Sequence, residues 1–150
     1  NNALTLPLML NIIPGAPGVL SALDGPTPPS VQNGAHIIAQ HANGTLVSSS
    51  SPANPGEYLV MYLVGLGATN PSVPSGTATP PTPLHNATVT PLVTVGSQPS
   101  TVAFAGLTAY FVGLYQINFQ VPTGAGSGEL EVDVSQNGVK ANPTLLVVSQ

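Results

Sequence analysis

The sequence predicts an all-β fold, an antiparallel β-sandwich with an extra strand at its N-terminal end, and three observations carry that expectation. In residues 114–121, Tyr115, Ile117, Phe119 and Val121 alternate with Gln116, Asn118 and Gln120, giving one face fit for a core and one polar, uncharged face. With 16 glycines and 17 prolines in 150 residues, the chain is cut into short pieces, and no stretch keeps apolar residues at helical spacing over three turns. The resulting strands, roughly eight, recur with frequent turn signals, the spacing expected of an Ig-like sandwich.

Taken in order, residues 3–13 read as a strand with Pro7 inside it, which an edge or inserted strand accepts and a central one does not. Breaker clusters at residues 14–18 and 24–30 then leave that strand loosely tethered. Residues 34–40 and 44–48 flank Asn43-Gly44, a pair suited to the positive φ angles of a tight hairpin turn. Residues 57–64 are apolar on both faces, as in a strand that is central or lies at an interface. Residues 70–83 form a proline-, threonine- and serine-rich stretch that reads as an extended surface loop. Strands follow at residues 88–95, 101–105, 114–121, 129–135 and 144–148, with Asn137-Gly138 closing a hairpin between the last two. The expected division is residues 1–13 as an N-terminal strand, 14–33 as a linker and 34–150 as the sandwich.

Charge is the most unusual feature. Charged residues make up 4% of the chain, against about a quarter in an average soluble protein. With no arginine, Lys140 as the one lysine and a net charge of -4, the chain cannot supply the phosphate contacts of nucleic-acid binding. Mean hydropathy is +0.30, yet the longest apolar run, residues 58–66, falls far short of the ~20 residues of a membrane helix. A surface of small and uncharged polar residues has little repulsion to keep copies apart, so packing against other chains is expected. Cysteine is absent, which excludes disulfides and thiolate metal sites. Without a starting methionine or a basic leader, the chain reads as a processed product or a fragment.

Candidate chemistry is sparse. His36, His41 and His85 show no HxH or HExxH spacing, and His36 and His41 tend to opposite faces of a strand, so no metal site or cofactor is expected. No G-x-S-x-G elbow supports a Ser–His–Asp triad, and no catalytic residue is assigned. Glu129, Glu131 and Asp133 share one face of a strand; they read as a solvated stripe that discourages wrong edge pairing, or as a weak cation contact. Asn43-Gly44-Thr45 and Asn86-Ala87-Thr88 fit the N-glycosylation pattern, which makes Asn43 and Asn86 candidate modification sites. Lys140 has no evident partner for an isopeptide bond.

Three segments carry a family resemblance: NPGEYLVMYLVGLGATNPSVPSG at residues 54–76, VTVGSQPSTVAFAGL at 93–107 and FVGLYQINFQVPTG at 111–124. In this order and spacing they resemble the uncharacterised carboxy-terminal β-domain family of large secreted acidobacterial proteins, which is similar to Ig-like and TIG-type modules. PGAPGVLSA and NGAHIIAQHANGTL extend the resemblance upstream to almost the whole chain. It implies export and a structural or adhesive life, with no catalytic residues to carry over. In that family a segment like residues 2–8 resembles the closing strand of a preceding domain, whose body is not present here.

A lone strand must join a sheet, its own or a neighbour's, to pair its N–H and C=O groups and bury its apolar side chains. If it joins a neighbour's, copies polymerise head to tail. The expectation is therefore an extracellular filament or pilus subunit, a homopolymer built by donation of residues 2–11, with Leu4, Leu6, Leu8 and Leu10 as the donor side chains and Pro7 where no ladder donor is needed. The alternative is an adhesion or carbohydrate-binding module, partnered by glycans, whose first strand folds onto its own domain.

Overall fold

The computed structural model describes residues 13–22 and 35–150. Its first half contributes Gly18–Val19 (β1), Ser21–Ala22 (β2), His36–Ile37 (β3), Ala39–Gln40 (β4), Tyr58–Val64 (β5), Thr69–Asn70 (β6) and Asn86–Ala87 (β7). Leu92–Val95 (β8), Gln98–Pro99 (β9), Val102–Leu107 (β10), Tyr115–Gln120 (β11), Gly128–Gln136 (β12), Val139–Lys140 (β13) and Thr144–Val148 (β14) complete it. Among the described residues these form two seven-stranded sheets, the first in the order β1-β5-β11-β10-β7-β6 with β4 also on β5, the second in the order β2-β3-β14-β12-β8-β9 with β13 on β12. The fold is a β-sandwich, as its alternating strands require.

The core follows from the period of two. Leu59, Met61 and Leu63 from β5 and Ile117 and Phe119 from β11 point inward, where Val93, Val95, Val132, Val134, Leu146 and Val148 of the second sheet meet them. β5 and β11 are paired along their length, from Tyr115 opposite Leu63 to Gln120 opposite Tyr58. β12 is held by β14 over residues 128–132 and by β8 over residues 132–135. Asn137 and Gly138, at φ 51° and 79°, make the two-residue turn from β12 into β13.

The stretch expected as a linker contributes β1 and β2 over its described part. It crosses between the sheets: β1 pairs with β5 in the first, and β2 with β3 in the second. The segment of β3 and β4 crosses back, from β14 to β5. Two short bent strands thus close one flank of the sandwich. A wholly antiparallel arrangement is not found, because β3 runs parallel to β14. The strand expected at residues 88–95 is confined to β8, while Asn86–Ala87 pairs in the other sheet; Pro91 between them removes a ladder donor. Among the described residues no helix is long and apolar enough to cross a membrane.

Candidate functional site

The proposed donor residues Leu4, Leu6, Pro7, Leu8 and Leu10 lie outside the described residues. The sheet edge that could receive such a strand is described. On the side away from β12, β14 has two partners in succession, each making a single bridge. Leu145 N donates to Ala35 O at 3.0 Å beside the parallel bridge to His36, and farther along Ala53 N donates to Val147 O at 2.9 Å. Beside this edge lies a cleft of about 170 Å³, lined by Ile37, Ile38, Leu46, Val47, Leu145 and Val147 among others. Its walls are mainly aliphatic, and Leu46 is 56% exposed at its rim.

Glu129, Glu131 and Asp133 do share the outer face of β12, where they stand opposite Val147, Leu145 and Thr94. Neighbours on one face of a strand are about 6.6 Å apart, too far for backbone spacing alone to gather three carboxylates. His36 Nε2 lies 3.2 Å from Glu129 Oε1, and Lys140 Nζ lies 3.5 Å from Asp133 Oδ2. Among the described residues no three metal-ligating side chains come together. His85 is buried, and its Nδ1–H donates to Pro71 O at 2.7 Å.

A cluster that sequence reading missed surrounds His41. The β4 strand ends there, and a hairpin with Asn43 at its exposed tip returns through Thr45, whose N–H and hydroxyl both donate to Asn43 Oδ1. His41 Nδ1 lies 2.6 Å from Glu57 Oε1, while Nε2 lies 3.2 Å from Ser51 O and 3.3 Å from Ser51 Oγ. Asn54 N donates to the other Glu57 oxygen at 2.9 Å. The hydrogen bond to Glu57 raises His41 above its ordinary 6.5, against an opposing push from burial. Burial pushes the Glu57 carboxyl up, but the Asn54 amide and His41 together bring it below its ordinary 4.5.

Ser51, His41 and Glu57 therefore have the order of a Ser–His–acid triad beside an open cleft. Two details oppose acyl transfer. Ser51 N already donates to Ser48 O at 3.1 Å, and the next residue, Pro52, has no N–H, so neither amide is available for an oxyanion. The Ser51 carbonyl beside Nε2 also suits a charged imidazole that donates from both nitrogens. The arrangement is a lock between the 48–54 loop and the start of β5. Partners 16 residues apart leave no local motif; the one clue was that Glu57 is an acid standing away from the β12 stripe.

Asn86, the second glycosylation candidate, is exposed, but its backbone is held between Gly106 and Asn70. At one end of the sandwich the loop after β10 exposes Tyr110, Phe111 and Val112 at 74%, 53% and 58%, beside a cleft whose lining includes no charged residue. Tyr110 adopts φ 70°, a left-handed conformation, fixed by Tyr110 N to Thr79 O at 2.8 Å and Thr79 N to Phe111 O at 3.0 Å. No family model, no curated protein and no solved structure matches this chain.

Proposed function

We propose that the chain is the structural subunit of an extracellular bacterial filament, an Ig-like sandwich that polymerises when residues 2–11 of one copy add as a strand to the next. The observation that carries this reading is the aliphatic cleft beside the interrupted outer edge of β14. Leu145 N, Val147 O and Ser149 N on this edge are already paired within the chain, so it is the cleft, ready to take alternate side chains of an incoming strand, that supports the reading. At about 170 Å³ the cleft is close to the ~150 Å³ that admits a benzene-sized apolar group, so it takes about one leucyl side chain. On this proposal Leu4, Leu6 and Leu8 are the alternate side chains that the donated strand offers to the groove. Each buried leucine contributes about 2 kcal/mol. The His41 lock then serves to hold the 48–54 loop against β14.

Complementary variants test the reading. Leu6→Asp removes the donor and Leu46→Asp spoils the acceptor, so each alone gives no filaments by negative-stain microscopy while keeping a native circular-dichroism spectrum. Mixed, they have one good donor and one good acceptor between them and form dimers that grow no further. Filaments from Leu6→Asp alone, or monomers from the mixture, overturn strand donation.

A second reading, an adhesion or carbohydrate-binding module, is favoured by the exposed Tyr110-Phe111-Val112 tip and its charge-free neighbouring cleft. It requires a monomeric chain that is retained on an insoluble neutral polysaccharide and loses that retention in Tyr110→Ser.

A further inference from the structure

The outer face of the first sheet has no role in strand donation. β5 turns Leu59, Met61 and Leu63 inward and therefore Tyr58, Val60, Tyr62 and Val64 outward; Tyr58 and Val64 are 48% and 46% exposed. Across the pairing register Val60 stands beside Asn118 and then Phe104, and Tyr62 beside Gln116 and then Gly106. The Phe104 ring lies over Gly106, whose missing side chain leaves room for it. No charged residue occurs in this array, and the nearest acid in sequence, Glu57, is paired with His41.

We infer that this face is a self-association surface on which two copies pack first sheet to first sheet about a two-fold axis. Charge selects the occupant. All other described acids, Glu129, Glu131 and Asp133, lie on the outer face of the second sheet. Stacking that face on Tyr58, Val60 and Tyr62 would bury carboxylates without partners, and stacking it on itself would oppose like charges. Of the three face-to-face stackings, the one between two first sheets desolvates no charge, and such an isologous contact closes at a dimer.

Part of the polar capacity of the face is used within the chain. Tyr62 OH donates to Gln40 Oε1 at 2.8 Å, Gln116 Nε2 to Asn118 Oδ1 at 3.1 Å and Gln120 Nε2 to Gly56 O at 2.9 Å. These bonds hold the amides in place beside the aliphatic and aromatic side chains of β5, so the face offers a copy both apolar area and fixed, uncharged polar groups. Contacts of this kind add up between copies that are already linked.

The test is made in the full chain carrying Leu6→Asp, which halts strand donation under the reading above. Near a two-fold axis Val60 faces its own copy, so Val60→Lys and Val60→Glu each set like charges together and raise the dimer dissociation constant by roughly tenfold or more in analytical ultracentrifugation. Mixing the two variants restores association as a Lys/Glu heterodimer, which a folding defect could not do; Val64→Lys with Val64→Glu repeats the test at a more exposed site. Equal sedimentation with and without the substitutions overturns the inference, as does a mixture that fails to recover. A face covered by its own chain, or one that binds neutral polysaccharide instead, gives those same results. If Leu6→Asp still polymerises, strand donation fails, while loss and recovery of association at position 60 continue to report on this face.

Discussion

On the outer face of the first sheet, Tyr58, Val60, Tyr62, Val64 and Phe104 stand among the amides of Gln116, Asn118 and Gln120; on that of the second, Glu129, Glu131 and Asp133 stand among Leu145, Val147 and Thr94. Both are antiparallel ladders over one shared core, and both mix aliphatic with polar side chains. They differ chiefly in charge. In a chain with six charged residues, placing three acids on one strand concentrates negative charge on one face and leaves the other without any. The fold sets which residues point outward, and the sequence of β12 then decides which face stays wet.

The largest effect comes from the support the faces share. Phe119→Ala empties a fully buried position between the sheets and should cost about 3–5 kcal/mol, seen as a large drop in the chemical denaturation midpoint. Both faces would be lost together. A smaller, one-sided effect comes from Gly106→Ala: a Cβ there would lie 2.2 Å from His85 O and 2.8 Å from the Phe104 ring. Relieving that overlap should cost about 1–3 kcal/mol. It should also displace Phe104 and, under the proposal above, weaken self-association by the first sheet, leaving the amide chemical shifts of β12 and β14 in the second unchanged.

The His41–Glu57 pair sharpens the comparison through pH. His41 is raised above 6.5, so its stabilisation is full below that value and fades as pH climbs through the raised pKa. Glu57 is lowered below 4.5, so its stabilisation is present above that value and fades as pH falls through the lowered pKa. The pair therefore stabilises most between about 4.5 and 6.5. Once pH has passed the raised His41 pKa, the imidazole is neutral and Glu57 carries an uncompensated charge at the start of β5. Self-association of the first sheet should then weaken under the proposal above, and His41→Gln should remove the loss of stability and association on the alkaline side while leaving the acid limb, which Asn54 and Glu57 retain.

Long alternating strands were legible because a period of two survives in sequence: the inward set Ile117 and Phe119 and the outward acids of β12 were read directly. The turn at Asn137-Gly138 was legible because positive φ selects those residues. The crossings between sheets were not. β1 to β4 are two residues each, too short to show any period, and the parallel contact of β3 with β14 joins positions more than a hundred residues apart. For the same reason His41 and Glu57 looked unrelated, and Ser51 looked like one member of a serine run. The apolar outer residues of β5 were visible as a strand with two greasy faces; that one of these faces is open to solvent needed the sheet order.

The smallest change in stability should come with the most informative change in behaviour. Glu129→Gln, Glu131→Gln and Asp133→Asn together keep the size of every side chain on β12 and remove its charge. All three positions face solvent or its boundary, so the thermal midpoint should move little, with loss of the Lys140 contact to Asp133 as a minor term. If charge alone separates the two faces, the neutral second face gains its own association, and under the proposed first-sheet pairing the chains pass from dimers to open arrays. Wild-type chain should show the same gain in part at high salt, which screens the acids, whereas the triple variant should be indifferent to salt. A triple variant that remains dimeric would place the distinction in shape, with the paired tyrosines of β5 and the ring of Phe104 carrying what the missing charge does not.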